Sequence, residues 1–153
     1  MRVVFAADHA GAQFKDDIVR RLAGLTAGEH ELVDLGGDGS DPEDDYPDFA
    51  QKLGLAIQEG RADRGILICG SGVGASVAAN KMRGVRTAIC HDTYSAHQGV
   101  EHDYMNVLCL GSEVIGAELT GELVRTFLGA KFDGGERYVR RLEKIEEMEK
   151  THG

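Results

Sequence analysis

The segment Cys69-Gly70-Ser71-Gly72-Val73-Gly74 says most about chemistry. A thiol stands directly ahead of three glycines, which let a backbone turn tightly and bring its N–H groups close to a ligand. A helix starting there adds partial positive charge, which suits an anion and favours thiolate over thiol. Cys69 is then a usable base or nucleophile. The segment also reads as a buried structural cysteine ahead of a nucleotide-binding turn. GSGVGA fits a dinucleotide fingerprint only loosely, and no acidic residue closes a strand ~20 residues on, so a dinucleotide site is weakly supported.

Asp8-His9 closes the first apolar run, Val3 to Ala7. Two polar residues there either cap the strand or meet a ligand, with His9 donating to an anion or hydroxyl and Asp8 orienting it or accepting from a sugar hydroxyl. His91, His97 and His102 lie near one another among Asp92, Glu101 and Asp103. Their spacings of six and five do not stack on one helical face, so a mixed solvated face is the better reading than a metal site, with a single general acid or base left open. Arg137 and Arg141 are one helical turn apart, and two guanidinium groups on one face suit a phosphate; pairing with Glu136, Glu143, Glu146 or Glu147 is the alternative. Asp38, Asp41, Glu43, Asp44, Asp45 and Asp48 lack the order of a calcium loop and read as a solvated acidic loop. Cys90 and Cys109 sit inside apolar strand patterns and read as core.

The elements that must position these groups follow from periodicity. Val3–Ala7, Glu31–Leu35, Gly65–Cys69, Arg86–Cys90 and Asn106–Gly111 read as strands. Helices are expected over Ala12–Leu25 (with Phe14, Ile18, Leu22 and Leu25 on one face and Lys15, Asp16, Arg20 and Arg21 between them), Tyr46–Glu59, from Gly74 through Lys81, Thr93–His102, Ile115–Leu128 and Glu136–Lys150. Short continuous apolar strands alternating with amphipathic helices predict an α/β fold: a Rossmann-like, doubly wound, five-stranded parallel sheet with helices on both faces. Ligands of such sheets bind beyond the carboxyl ends of the strands, where Asp8, His9, Cys69, His91 and Gly111 all fall.

At 153 residues the chain is one domain, 1–153. Its 42% hydrophobic and 28% charged content excludes a mostly disordered chain. A net charge of −9 repels phosphate backbones, so no nucleic-acid partner is expected, and any anionic substrate needs a local cationic pocket. No apolar run suits a membrane span or a signal peptide. Three widely spaced cysteines form no zinc-ligand pattern and point to reduced thiols in the cytoplasm, so no metal is expected.

Together, AADHAG near the start, DYPDFA at 45–50, GILICGSGVGASVAANKMRGVRTAIC at 65–90, NVLCLGSEVIGAEL at 106–119 and FDGGERYVRRLEKI at 132–145 resemble the ribose-5-phosphate isomerase type B family, which includes allose- and galactose-6-phosphate isomerases. The resemblance implies a metal-independent, cofactor-free aldose–ketose isomerase of a sugar phosphate, with ribose 5-phosphate as first substrate, working through a cis-enediolate. It places Cys69 at the catalytic base and His102 at the group that opens the sugar ring. Gly70, Ser71, Gly72, Val73 and Gly74 match the anion hole for the enediolate oxygen, with Ser71 where many members have Thr. Asp8, His9 and Asp103 match substrate contacts, and Arg137 and Arg141 phosphate ligands. Family members are homodimers or dimers of dimers with sites built from two subunits, which puts the helix at about 136–150 at the interface.

Two positions depart from the family. Asp103-Tyr104-Met105 replaces an Asn-rich stretch, and Glu113 stands where the family has another phosphate-binding Arg. A carboxylate there weakens phosphate binding by at least a charged hydrogen bond, ~1.5–3 kcal/mol. Either Glu113 turns away, or the phosphate sits differently, or the sugar phosphate is another, such as a tetrose or hexose phosphate. A non-catalytic phosphometabolite-binding module and a Cys-nucleophile hydrolase are the rival readings.

Overall fold

The structure, a computed structural model, describes residues 1–25 and 28–152. Five strands and six helices follow in the order β1 (Arg2–Ala7), α1 (Ala12–Leu25), β2 (Glu31–Asp34), α2 (Tyr46–Gln58), β3 (Arg64–Cys69), α3 (Val73–Ala79), β4 (Thr87–Ile89), α4 (Thr93–Asp103), β5 (Val107–Gly111), α5 (Ala117–Gly129) and α6 (Glu136–His152). The strands form one parallel sheet in the order β2-β1-β3-β5-β4. The chain winds from β1 outward to β2, then crosses back to β3 on the other side of β1. That reversal opens a crevice at the carboxyl ends of β1 and β3.

Both faces are covered, which is why the strands are apolar without alternation. Val3, Phe5, Ile66, Ile68, Leu108 and Leu110 pack toward Ile18 and Leu22 of α1, Val100 of α4 and Leu123, Val124 and Phe127 of α5. Val4, Ala6, Leu67, Cys69, Val107 and Cys109 pack toward Leu53 and Ala56 of α2 and Ala75 and Ala79 of α3. The α1 stripe behaves as its periodicity says at Phe14, Ile18 and Leu22; the side chain of Leu25 lies outside the described residues. Lys15 is an exception to its polar assignment. It is 2% exposed, and its ammonium reaches Asp34 Oδ2 at 2.5 Å, tying α1 to the end of β2.

Three element boundaries move for identifiable reasons. The third helix stops at Ala79 because the Asn80 side chain leaves it for β4: Nδ2 donates to the Thr87 carbonyl at 2.9 Å and Oδ1 accepts from Thr87 N at 3.0 Å. The strand β4 starts at Thr87 because Arg86 N donates to Asn106 Oδ1, at 2.9 Å. The fifth helix starts at Ala117 because Gly116 is extended and residues 111–115 form a turn, with Val114 N on Gly111 O at 3.0 Å.

The acidic loop after β2 runs back over the carboxyl edge. Leu35 N donates to Phe5 O at 2.8 Å and Ala7 N to Gly36 O at 3.3 Å, so the loop continues alongside β1. At Gly37, φ is +91, and a side-chain carbon would overlap the Ala7 carbonyl oxygen. Gly37→Ala is therefore expected to destabilise by about 3 kcal/mol or to prevent folding. At Gly121 of α5 an added methyl group would meet nothing within 4 Å, and Gly121→Ala is expected to gain ~0.5–1 kcal/mol. Urea unfolding of both variants checks the contrast.

Candidate active site

Register brings the first group of candidate residues together. Ala7 pairs with Ile68 and Cys69 with Gly111, so the residues leaving β1, β3 and β5 emerge side by side. Asp8 N donates to Ile68 O at 3.3 Å, and Ser112 N to Cys69 O at 2.9 Å. The Ser112 hydroxyl donates to Ala10 O at 2.9 Å and so joins the β1 and β5 exits across β3.

Cys69 is 5% exposed, and its Sγ accepts the Gly72 N–H at 3.1 Å. Gly72 adopts φ +83, a left-handed backbone that turns its N–H back onto the sulfur. Val73 N donates to Ser71 Oγ at 3.2 Å. The N–H groups of Ser71 and Gly74 have no acceptor among the described residues. A thiol beside fixed N–H donors is an arrangement for handling a proton next to a developing oxyanion. Burial pushes the Cys90 thiol up to about 11 and that of Cys109 up to about 12. Both are core groups held as thiols.

Asp8 is 7% exposed and accepts the Gly11 N–H on Oδ1 at 3.1 Å. Burial raises its carboxyl above the usual value, against the Gly11 hydrogen bond. His9 is exposed and its ring is held by Asp44 through Nδ1, at 2.6 Å. Sequence reasoning left Asp44 in a solvated loop, and nothing distinguishes it there from five acidic neighbours. Tyr46, read only as the start of a helix, lies on Gly74, where a side-chain carbon would fall 2.6 Å from its ring. Glu113 also belongs to this edge: its N donates to Gly70 O at 3.0 Å, and its carboxyl lies 3.6 Å from a β-carbon position on Gly70. It has not turned away.

The three histidines separate. His91 accepts the Gly111 N–H on Nε2 at 3.1 Å and is occupied in holding the end of β5. His97 is exposed, with Glu101 at 3.5 Å. Eleven-residue α4 then carries His102 ~16 Å down the sheet, to its amino edge. There Arg86 Nε donates to Tyr104 O at 2.8 Å and Asn106 N to Arg86 O at 3.0 Å, just ahead of β4 and β5. Tyr104 ends α4 in a left-handed conformation, φ +53, its ring stacked on Phe132 at 4.8 Å. Gln98 Nε2 donates to His102 Nδ1 at 2.7 Å, and the imidazole stacks on Tyr138 of α6 at 4.3 Å.

Arg137, on the first turn of α6, and Arg141 flank that stack along the helix. Both are exposed, and among the described residues neither has an ion-pair partner, so the glutamate-pairing alternative is not realised. A cavity of about 850 Å³ opens between α6 and the amino edge, lined by Arg86, Asp103, Met105, Ile145 and Met148 among others, and by none of the residues around Cys69. The candidate residues thus form two groups. Asp8, His9, Cys69 and Gly70–Gly74 share the carboxyl edge, while His102, Asp103, Arg137 and Arg141 share the amino edge. Among the described residues no three His, Cys, Asp or Glu side chains are grouped to hold a metal, and no helix is long and apolar enough to cross a membrane.

Asp8→Asn separates charge from shape. An ionised Asp8 costs the fold most above its folded-state pKa and nothing below the ordinary value of 3.8. The variant is expected to lose activity yet melt a few degrees higher than the parent at pH 7, with the gain vanishing toward pH 3.8. Paired thermal melts across that range check it.

Residues 3–145 match the model of the family described as Ribose/Galactose Isomerase. Ribose-5-phosphate isomerase B of Escherichia coli (strain K12) is 42% identical over 148 residues, covering 97% of this chain and 96% of that one. D-erythrulose-4-phosphate isomerase of Pectobacterium atrosepticum is 39% identical over 137 residues, covering 88% and 87%. The solved structure of Clostridium thermocellum ribose-5-phosphate isomerase B superposes with a TM-score of 0.90 at 40% identity over 100% of both chains. With the five-stranded parallel fold and the carboxyl-edge thiol already in place, these matches settle its kinship: the chain belongs to the Ribose/Galactose Isomerase family and is an enzyme of the sugar phosphate isomerase class.

Proposed function

We propose that the protein interconverts an aldose phosphate and its ketose, with ribose 5-phosphate and ribulose 5-phosphate as the first pair, in the cytoplasm and without metal or cofactor. Cys69 as thiolate takes the proton from C2 of the open-chain aldose. The electron pair moves into the C1–C2 enediolate, and the thiol returns the proton to C1 while a hydroxyl proton passes from O2 to O1. The N–H groups of the Gly70–Gly74 turn stabilise the enediolate oxygen. The observation that carries this reading is the Gly72 N–H on Cys69 Sγ at 3.1 Å, within a turn whose Ser71 and Gly74 N–H groups are unspent.

The active unit is a homodimer, alone or within a dimer of dimers. The six residues of β3 alone separate the two edges by about 17 Å, beyond the reach of a histidine side chain. His102, Asp103, Arg137 and Arg141 therefore serve the Cys69 site of a second copy, opening the sugar ring and anchoring the phosphate. Helix α6 supports this as an interface element: Val139, Ile145 and Met148 are exposed apolar residues on a helix otherwise rich in charge. The decisive experiment mixes two inactive variants. Cys69→Ala and His102→Asn homodimers lack proton transfer and ring opening respectively. Refolded together, half the dimers are hybrids with one intact site in two, so about a quarter of parental activity returns on ribose 5-phosphate. Recovery of none means that each site is built within one chain.

A tetrose phosphate is the second reading, favoured by Glu113 lying against Gly70 and by the erythrulose-4-phosphate isomerase among the relatives. A panel of tetrose, pentose and hexose phosphates decides between them. A tetrose 4-phosphate cannot close to a furanose, so with it as substrate His102→Asn should cost far less than with a pentose phosphate. Glu113→Arg is expected to lower KM for ribose 5-phosphate by roughly tenfold if the carboxylate merely repels the phosphate. If Glu113 instead accepts a substrate hydroxyl, the change damages turnover of the preferred substrate.

A further inference from the structure

The acidic loop, which composition alone leaves as solvated surface, places one of its carboxylates on His9. Asp44 Oδ1 accepts twice from that residue, from the backbone N at 3.1 Å and from the ring Nδ1 at 2.6 Å. Its side chain is only 14% exposed, against 40% for that of His9. The loop is braced to keep it there. Asp38 Oδ1 accepts from Ser40 N and Asp41 Oδ1 from Glu43 N, both at 2.9 Å, and Asp44 N returns to Asp41 O at 3.4 Å. Asp44 is thus fixed by local turns on one side and by His9 on the other.

We propose that Asp44 is a positioning residue for His9: it fixes the imidazole through Nδ1 and leaves Nε2–H as the donor that meets the anionic end of the substrate. This rests on the reading of His9 as a substrate contact and adds the group that makes it an effective one. A histidine with both nitrogens free samples two tautomers and several rotamers; a carboxylate on Nδ1 selects one of each. Charge follows the same direction. The hydrogen bond that the ring donates to Asp44 raises the His9 pKa above its usual value, aided by the charges of Asp44, Asp8 and Asp41, all of them carboxylates. The imidazolium therefore persists to higher pH than an unpaired histidine would allow. That matters beside Glu113 and Asp8: a charged His9 offsets those carboxylates and adds its attraction for the phosphate to that of the two arginines.

Asp44→Asn and Asp44→Ala separate geometry from charge. Asparagine keeps an acceptor for both His9 hydrogen bonds and removes the charge; alanine removes both. The readouts are the NMR titration of His9 in the free enzyme, the affinity for inorganic phosphate, and KM and kcat for ribose 5-phosphate across the same pH range. In Asp44→Asn the His9 midpoint is expected to fall. KM and phosphate affinity should stay near parental at about pH 6 and worsen roughly tenfold by about pH 7.5, with kcat little changed. In Asp44→Ala both should be weaker at every pH. An unmoved His9 midpoint in Asp44→Asn overturns the pairing. A loss of equal size at all pH values in that variant makes Asp44 a loop anchor and overturns the proposal. A midpoint that falls while KM and phosphate affinity do not change overturns the placement of His9 at the substrate, and leaves the Cys69–His102 hybrid assay to judge the isomerase reading by itself.

Discussion

The parallel register of β1, β3 and β5 is the constraint on which the carboxyl-edge site depends. Cys69 stands opposite Gly111, and Ala7 opposite Ile68, so three chain segments leave the sheet at one level. The buried Asp8, the thiol and the Gly-rich turn are neighbours for that reason and not through any local motif. Because side chains alternate across a strand, a slip of one residue in β3 would carry Cys69 to the opposite helical layer and leave the Gly72 N–H without its sulfur. The apolar layers on both faces resist such a slip: Leu67 and Cys69 belong to the α2/α3 side, Ile66 and Ile68 to the α1/α4/α5 side.

The same parallel winding that gathers one half of the chemistry sends the other half away. A crossover helix must run antiparallel to its strands, so a residue at its end is delivered to the amino edge. His91 and His102 are close in sequence and bracket α4, yet one binds the end of β5 and the other stacks on α6. The fold by itself therefore produces two groups of candidate residues of opposite character. One is a recessed thiol among carboxylates and free N–H groups; the other is a half-buried histidine with two exposed guanidinium groups.

Much of this was legible in the residues. Buried parallel strands are short apolar runs, and Ile66–Ile68 and Leu108–Leu110 could hardly be anything else; the fold class and the carboxyl-edge group around Cys69 followed from them. The insertion of β5 between β3 and β4 was not legible, because pairing partners are chosen by tertiary packing and leave no periodic mark. Lys15 was misassigned because an ammonium can be buried once a carboxylate from another element, here Asp34, comes to meet it. Asp44 was missed for a related reason. Its role depends on where a loop with three left-handed glycines, Gly36, Gly37 and Gly39, returns to the sheet, and a run of similar acidic residues does not reveal which one faces inward.

The amide of Asn80 has an effect beyond ending a helix. Arg86 turns its carbonyl toward β5, so Thr87 turns its N–H and carbonyl away from the sheet, and both are taken by that one side chain. The start of the outermost strand is thereby withheld from a passing extended peptide, which would need those groups to add itself as a sixth strand. At the opposite margin, β2 is four residues long and carries the exposed charges of Glu31 and Asp34 at its ends. Continuous growth of the sheet from molecule to molecule is hindered on one side by an amide and discouraged on the other by charge. Contacts between molecules are left to helices and loops, which meet in discrete geometries and stop.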